Sequence, residues 1–333
     1  MTRLVARLGS PGVVAALALL AGALLAGIAC RARETPQAEA PAATAPPTPD
    51  PAAPVVVAGA GFATPESVLY DAESDVYLVS NVNGGPTAAD GNGFISRVDP
   101  AGRVLELKWI DGSKPEQALD APKGMAFSDG TLYVADLTSV KAFDRATGKA
   151  TRKVTIPGAT FLNDVAAAPD GSIYVSDSGL KAGAAGLEPN GSDGIYRIPK
   201  GGGKAERVIK DRGLGNPNGL LADAEGVWVV TFGSGEIYRV SREGRKEAGE
   251  KLPTGQLDGI VQTADGSVLV SSWEGGSILR GLPGAGFLAS ITGVASPADI
   301  GYDSKRKRLL IPLFTGDGLE VRTLGPSPVT PVP

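Results

Sequence analysis

The chain has 333 residues, of which 42% are hydrophobic and 20% charged, so it is long enough for a sizeable core and has an ordinary globular composition. Its formal net charge of -4 and pI near 5.2 give no electrostatic reason to expect a nucleic-acid partner. The sequence contains no histidine, which excludes a histidine general base, a histidine-containing triad and a histidine metal ligand. Any catalysis must therefore rest on carboxylates, amides, lysine or a metal ion.

Residues 1–30 predict an export signal, because a basic start precedes the small and apolar run from Pro11 to Ala29. The only cysteine, Cys30, closes the stretch LLAGIAC, which resembles a bacterial lipoprotein processing site. Gly27 stands where such sites usually carry leucine, so ordinary signal-peptidase cleavage and retention as a membrane anchor stay open. We expect a lipoprotein of the cell envelope, on its periplasmic or extracellular side, that meets the membrane only through this N-terminal lipid or signal anchor.

Composition predicts three further regions. Residues 31–54 are rich in alanine and proline and poor in large apolar residues, so we expect a disordered, extended linker. Residues 55–324 carry the strand-like patterns and form the predicted folded domain, and residues 325–333 form a predicted flexible tail. Because Cys30 is the only cysteine, the chain has no intrachain disulfide.

Six segments of the folded domain repeat one pattern, in which a short apolar strand, an acidic or glycine-containing turn and a second strand follow one another. They begin at Thr64, Ala121, Phe161, Asn216, Gln256 and Ser296. A further strand follows each of them, for example FISRV after the first and LEVR after the last. The third residues of successive segments are 57, 40, 55, 40 and 40 positions apart, which fits four-stranded units with two longer loops.

Six such units predict an all-β fold, a six-bladed β-propeller with four-stranded blades, since radial repetition buries both faces of each blade and protects the sheet edges. The stretch PVVVAGAGF, residues 54–62, is predicted to supply the outer strand that closes the last blade onto the first. A β-sandwich is the alternative, but it gives no reason for one polar position to recur six times in register.

The recurring polar position is the third residue of each segment, and we call it the channel position. It holds Glu66, Lys123, Asn163, Asn218, Asp258 and Ala298 in chain order. The innermost strands of a propeller line its central channel, so these side chains are expected to converge. Four of them offer carboxylate or amide oxygens, the ligands that calcium prefers. The alternative is that each Asn or Asp merely accepts backbone hydrogen bonds at the start of a strand. The common register favours a metal site.

These motifs resemble a known family, the senescence marker protein, gluconolactonase and luciferin-regenerating enzyme-like propellers. The resemblance covers Val55 to about Leu324 and lies in the Glu of TPES, the Asn of FLND, the Asn of NPNG and the Asp of QLDG. In that family the matching residues hold one catalytic divalent cation, usually calcium. The resemblance thus implies a Ca²⁺ site, open to other divalent cations, formed by Glu66, Asn163, Asn218 and Asp258.

The predicted chemistry follows from such a cation, which polarises a lactone or ester carbonyl while Asp258 acts as nucleophile or general base. Lys123 is the second candidate catalytic residue, expected either to bind an anionic substrate or to pair with Glu66, with a solvated lysine at the pocket rim as the alternative. Sugar-lactonase members often carry an arginine two residues before the first Asn, whereas this chain has Phe161, which disfavours a sugar-acid lactone.

Two functions are therefore weighed. The first is an envelope-anchored or exported, calcium-dependent hydrolase of lactones or related esters, acting as a monomer on a small-molecule substrate. The second is a non-catalytic propeller, like NHL-repeat modules, that uses the metal structurally and binds a ligand or protein.

Overall fold

The computed structural model describes residues 53–184 and 186–325, which form 26 strands and one short 3-10 helix, Arg212–Leu214. Blade 1 consists of β2 (Pro65–Asp71), β3 (Val76–Asn81), β4 (Phe94–Val98) and β5 (Val104–Asp111). Blade 2 consists of β6 (Pro122–Ser128), β7 (Thr131–Asp136), β8 (Ser139–Asp144) and β9 (Ala150–Thr155). Blade 3 consists of β10 (Leu162–Ala167), β11 (Ile173–Asp177), β14 (Gly194–Ile198) and β15 (Glu206–Lys210), with the hairpin β12 (Leu180–Gly183) and β13 (Gly186–Pro189) inserted after β11.

The second half of the chain repeats this arrangement. Blade 4 consists of β16 (Pro217–Ala222), β17 (Gly226–Thr231), β18 (Glu236–Ser241) and β19 (Glu250–Lys251). Blade 5 consists of β20 (Leu257–Gln262), β21 (Val268–Ser272), β22 (Ser277–Leu282) and β23 (Gly286–Thr292). Blade 6 consists of β24 (Gly301–Asp303), β25 (Arg308–Leu313), β26 (Gly318–Thr323) and β1 (Val55–Val57). The predicted six four-stranded blades are confirmed.

The ring is closed by β1, the first strand of the described chain. It pairs antiparallel with β26, with Val55 opposite Val321 and Val57 opposite Leu319, and so forms the outermost strand of blade 6. The prediction that residues 54–62 supply this strand is confirmed. Closure of this kind joins the two ends of the domain within one sheet, which leaves no gap between the last blade and the first.

The core consists of six separate apolar clusters, one between each pair of neighbouring blades. Because side chains alternate between the two faces of a strand, adjacent residues of β3 enter different clusters: Tyr77 packs towards blade 6 and Leu78 towards blade 2. Each fully buried side chain of this size contributes about 1.5–3 kcal/mol. Both faces of every blade are thereby covered by apolar contact.

The inner strands carry a β-bulge at the channel position in blades 1 to 5. The pairing of first and second strands changes register between Pro65 and Ser67, Pro122 and Met125, Leu162 and Val165, Pro217 and Leu220, and Leu257 and Ile260. Bulges of this kind re-aim a side chain. Four residues two positions before the channel position are in the left-handed region, namely Thr64, Asn216, Gln256 and Ser296, with φ of 53°, 58°, 49° and 46°. The chain therefore bends at the same point as it enters the channel.

The predicted signal segment 1–30 with Cys30, residues 31–52 of the predicted linker and residues 326–333 of the predicted tail lie outside the described residues. Among the residues that are described, no helix has the length and apolar character needed to cross a membrane.

Candidate metal centre and active site

Five of the six channel-position side chains line one pocket of about 190 Å³ at one end of the channel. They are Glu66, Lys123, Asn163, Asn218 and Asp258, contributed by the first strands of blades 1 to 5. The sixth, Ala298, is completely buried and offers no side-chain oxygen. The structure thus brings together every residue that the sequence nominated for metal binding or catalysis.

Two carboxylate oxygens in this pocket lack a partner. Oε2 of Glu66 and Oδ1 of Asp258 are buried and accept no hydrogen bond within the described protein. Both residues are almost completely buried, Glu66 being 5% exposed and Asp258 4%. A buried charged group without a partner is costly, by several kcal/mol for an ion, so such oxygens are expected to have a cation or a proton between them. The residues present therefore fit a hard divalent cation.

The charge distribution supports the same reading. Burial, together with repulsion from Asp258 and Asp299, raises the pKa of Glu66 well above its ordinary value, and Lys123 opposes this rise. Burial and then repulsion from Asp299 likewise raise the pKa of Asp258. The Trp273 indole and the Asn218 amide face Asp258 and lower its pKa, although Nε1 of Trp273 makes no hydrogen bond of its own. Without a cation, the two carboxylates resist ionising together.

The two amides complete the set of oxygen donors. Nδ2 of Asn163 donates to Oγ of Ser178 at 3.1 Å, and this hydrogen bond leaves the amide oxygen of Asn163 free to act as a ligand. Ser178 in turn donates to the carbonyl of Pro217 at 2.7 Å, next to Asn218, and thus ties blade 3 to blade 4. Within residues 53–184 and 186–325, no three acidic side chains form a metal-binding group by themselves. The candidate ligand set therefore includes the two amides.

Lys123 is buried beside the carboxylates, with 1% of its surface exposed. Its Nζ donates to the carbonyl of Ala121 at 3.0 Å and lies 4.5 Å from the centroid of the Phe161 ring. Burial lowers the pKa of Lys123, whereas Glu66 and Asp136 act in the opposite direction. The alternative of a solvated lysine at the pocket rim is wrong, because only 1% of the surface of Lys123 is exposed.

Two further acids lie directly after channel positions but face the other end of the channel, where they line an open cavity of about 420 Å³. Asp164 accepts backbone hydrogen bonds from Val165 and Leu220, both at 2.7 Å. Asp299 accepts a hydrogen bond of 2.5 Å from Oγ of Ser67. In blade 3 the bulge sends Asn163 to the pocket of about 190 Å³ and Asp164 to this second cavity, which we call the lower cavity. Both acids raise the pKa of Glu66 through charge repulsion.

Most of the pocket wall was not predicted from the sequence. It is formed by Phe232, Trp273 and Phe314 on one side and by Leu180 and Leu187 of the β12–β13 hairpin, Pro86 and Phe161 on the other. The aromatic rings are in contact, with centroids 5.7 Å apart for Phe232 and Trp273 and 5.0 Å for Trp273 and Phe314. Each of the three directly follows the second strand of its blade. The sequence does carry a signal for these three wall residues, namely an aromatic residue directly after the second strand in the stretches TFGSG, SWEGG and LFTGDG.

Comparison with known proteins identifies a family and several similar solved structures. The family model described as the SMP-30/Gluconolactonase/LRE-like region matches residues 64–292. No curated protein shows a significant sequence match to this chain. Similar solved structures include a gluconolactonase from Xanthomonas campestris, 21% identical, with a TM-score of 0.61 over 81% of this chain and 89% of the other.

Two other solved structures have the same fold. A calcium-binding protein, regucalcin, from Agrobacterium tumefaciens is 17% identical, with a TM-score of 0.55 over 79% of this chain and 90% of that one. Virginiamycin B lyase from Staphylococcus aureus is 15% identical, with a TM-score of 0.53 over 82% of this chain and 99% of the lyase. At these identities the likeness is one of fold alone.

Proposed function

The chain belongs to the SMP-30/gluconolactonase/LRE-like family, and from this premise we propose that it is a calcium-dependent hydrolase of lactones or related esters. The observation that carries the proposal is the pair of buried, unpartnered oxygens, Glu66 Oε2 and Asp258 Oδ1, in one pocket with two amides. Glu66, Asn163, Asn218 and Asp258 would hold the cation, and calcium suits a set made only of oxygen donors, with other divalent cations possible.

The bound cation would keep Asp258 ionised, polarise the substrate carbonyl and stabilise the negative charge that develops on its oxygen. As a general base, Asp258 would take one proton from water as the water oxygen bonds to the acyl carbon. The acyl carbon–oxygen bond then breaks, and the proton returns to the leaving alkoxide, which gives a hydroxy acid from a lactone. As a nucleophile, Asp258 would instead bond to the acyl carbon and displace the alkoxide, which gives an acyl anhydride. Water would then hydrolyse the anhydride to the product acid and the free Asp258 carboxylate, and the alkoxide would take up a proton from that water.

Lys123 would contribute positive charge beside these four side chains, and we call the five channel-position side chains that line the pocket its floor. Its ammonium is buried and its hydrogen bond to the Ala121 carbonyl uses one of three protons, so further donors are available to a carbonyl or carboxylate oxygen of the substrate. The interaction with Glu66 keeps that charge close to the reacting group. A Lys123→Met variant, which keeps the length of the side chain, is expected to lose turnover and to retain calcium binding.

The first test is calorimetric titration of calcium into chelator-stripped protein. We expect one calcium site in the wild type and a calcium affinity lower by at least roughly tenfold in Glu66→Gln and Asp258→Asn. Even the loss of a residue that only hydrogen-bonds to a metal ligand lowers metal affinity by about 10–100-fold. Glu320→Gln is the matched control, because Glu320 is buried at 7% exposure but pairs with Arg322 away from the pocket. Equal binding in all four proteins would refute the metal site.

The second test is turnover. Calcium-reloaded wild type is expected to hydrolyse members of a panel of lactones and aryl esters, and Asp258→Asn to lose that activity while remaining folded. A single turnover in oxygen-labelled water separates the two roles of Asp258, because only the nucleophile carries label in its own carboxylate afterwards. Calcium binding without turnover on any substrate would support the non-catalytic, NHL-like alternative instead.

Lyase chemistry like that of virginiamycin B lyase receives no support from the residues. A variant of that lyase in which one histidine is replaced by alanine is described as catalytically inactive. The present chain contains no histidine. The acid, amide and lysine side chains at the floor of the pocket favour hydrolysis over a histidine-dependent elimination.

We also propose that the protein works in the cell envelope. The support is the sequence alone, namely the signal-like residues 1–30 and Cys30 at the lipoprotein-like site. Metabolic labelling with palmitate should mark the wild type and leave Cys30→Ser unlabelled. Recovery of both proteins in the cytosolic fraction would contradict the proposal.

A further inference from the structure

The wall and the floor of the pocket differ sharply in chemistry. The polar side chains that line it, Glu66, Lys123, Asn163, Asn218 and Asp258, all occupy the channel position at the floor. Among the described residues that line the remainder, every side chain is apolar or aromatic. The floor can therefore recognise one polar group, the carbonyl under attack, while the remainder of the ligand meets hydrocarbon and aromatic rings.

This wall is unsuited to a ligand covered in hydroxyl groups. A hydroxyl moved from water into an apolar surround without a hydrogen-bond partner costs about 1–3 kcal/mol. A sugar lactone would bring several such groups against Phe232, Phe314 and Leu180, whose side chains can neither donate nor accept. Phe161 adds to the same effect, because its ring is occupied by the ammonium of Lys123 and offers no hydrogen bond.

The β12–β13 hairpin gives an independent indication. Leu187 lines the pocket and is nevertheless 43% exposed. Among the described residues, only four large apolar side chains are exposed to this degree or more. The other three, Val56, Leu105 and Leu288, lie on the outermost strands β1, β5 and β23. Leu187 instead belongs to an inserted hairpin whose paired strands hold it over the pocket, with Leu187 opposite Ala182. An apolar ligand in the pocket would cover it.

Trp273 links the wall to the floor. Its ring packs against Phe232 and Phe314, while its Nε1 is buried beside Asp258 without a hydrogen-bond partner. An unpartnered buried N–H is rare, and an acceptor oxygen on the ligand would satisfy it. The same side chain therefore offers one donor at the reacting end of the ligand and an aromatic face to its apolar part.

We propose that the substrate is a lactone or ester with an alkyl or aryl substituent, held by the aromatic wall and the Leu187 hairpin, and that polyhydroxylated sugar lactones are excluded. This inference rests on the proposed hydrolase function. It assigns specificity to Phe232, Trp273, Phe314 and Leu187, which contact the substituent, and of these only Trp273 also reaches the reacting end of the ligand.

Three δ-lactones with the same ring test the proposal: δ-decalactone, with an alkyl chain, unsubstituted δ-valerolactone, and D-glucono-δ-lactone. With calcium-reloaded protein, kcat/KM for δ-decalactone should exceed that for each of the others by roughly tenfold or more, since even one methylene group in an apolar pocket changes discrimination by 10–200-fold. Leu187→Ser should raise KM for δ-decalactone by a larger factor than KM for δ-valerolactone. Leu288→Ser, at a more exposed leucine outside the pocket, should change neither.

Binding is followed separately from turnover. The chain has three tryptophans, so Trp109→Phe combined with Trp228→Phe leaves Trp273 as the only one, and Asp258→Asn in the same protein removes turnover. Adding δ-decalactone should shift the fluorescence of Trp273 at concentrations at which D-glucono-δ-lactone has no effect. This signal reports occupancy of the wall whether or not the ester bond is broken.

The two readouts distinguish the two proposals. Calcium-dependent hydrolysis that favours D-glucono-δ-lactone would overturn the apolar-substrate inference and leave the hydrolase intact. A Trp273 response to δ-decalactone without hydrolysis of any lactone would support the apolar pocket and refute the hydrolase. An equal response to all three lactones, or none to any, would overturn the inference in either case.

Discussion

Asp299 should destabilise the metal-free protein at neutral and alkaline pH, so Asp299→Asn should stabilise it there. Burial raises the pKa of Asp299 from 3.8 to about 7, and the hydrogen bond from Ser67 only partly opposes this. Because the folded-state pKa lies above the unfolded-state value, the folded protein binds more protons between about pH 4 and 7. The free energy of unfolding therefore falls as the pH rises through that window.

The size of the effect follows from the pKa change. A carboxyl whose pKa rises from 3.8 to about 7 loses roughly 4 kcal/mol of stability at pH 8, at about 1.4 kcal/mol per pH unit. Asp299 also faces the open lower cavity, where water screens its charge, so we expect a gain of about 1–3 kcal/mol for the variant. Asparagine keeps an oxygen that can accept the hydrogen bond from Ser67. The gain should become small near pH 4, where the carboxyl is protonated in the folded state and partly protonated in the unfolded state.

The assay is equilibrium urea unfolding in chelator at pH 4.5, 6 and 8. Asp303→Asn is the matched control, because Asp303 is equally an aspartate of blade 6 but accepts hydrogen bonds from Tyr77 at 2.7 Å and Arg306 at 3.0 Å. Removing its charge leaves Arg306 with a weaker partner, so this variant should lose about 1–3 kcal/mol. The reasoning is refuted if Asp299→Asn is no more stable than wild type at pH 8, or if its advantage is the same at pH 4.5.

Three further predictions concern the scaffold around the channel, each measured as the change in the free energy of unfolding. Gly124→Ala should destabilise the protein by roughly 3 kcal/mol or more, because the added Cβ would meet the Asp164 carboxylate and lie 2.6 Å from the Asp164 Cα. Gly85→Ala is the control and should be neutral, because the nearest atom to its added Cβ is 3.8 Å away. Equal effects of the two substitutions would contradict this prediction. Ser176→Ala should lower the free energy of unfolding by about 1–2 kcal/mol, because the Ser176 hydroxyl donates to the Asn218 carbonyl of the next blade at 2.7 Å and accepts from the Asp164 N–H at 2.9 Å. No loss of stability would show that this link between blades 3 and 4 is dispensable. Val57→Asp should open the ring, because it places a charge in the apolar cluster between blades 6 and 1, and the free energy of unfolding should fall by several kcal/mol. Wild-type stability of this variant would argue against closure of the ring by β1.

The blades and the floor could be predicted because they depend on local patterns repeated in register. Alternating apolar residues and turn residues mark each hairpin, and the channel position stands at a fixed place within it, so Glu66 and Asp258 could be placed together although they are far apart in sequence. The wall depends instead on connections of unequal length. Nothing local indicates that the loop holding Leu187 folds into a hairpin over the pocket, or that Phe232 and Phe314 turn inward to meet Trp273.

The lower acids show a second limit of prediction from the sequence. Asp164 and Asp299 directly follow channel positions, and the repeated pattern gives no indication of the direction in which each carboxylate faces. In blade 3 a bulge decides this by sending the side chains of Asn163 and Asp164 to opposite ends of the channel. The raised pKa values of Glu66 and Asp258 arise partly from these neighbours, so the electrostatics of the site follow from backbone geometry that the sequence does not state.

The division of the pocket between two kinds of element has an evolutionary consequence. The floor belongs to the inner strands, whereas Pro86, Leu180, Leu187 and the three aromatic residues all lie in connections between second and third strands. These connections can lengthen, shorten or exchange residues without moving the blades that hold the carboxylates. New ligand preferences can therefore arise by loop replacement on an unchanged reaction centre, and grafting the β12–β13 hairpin onto a related propeller is a direct route to altered selectivity.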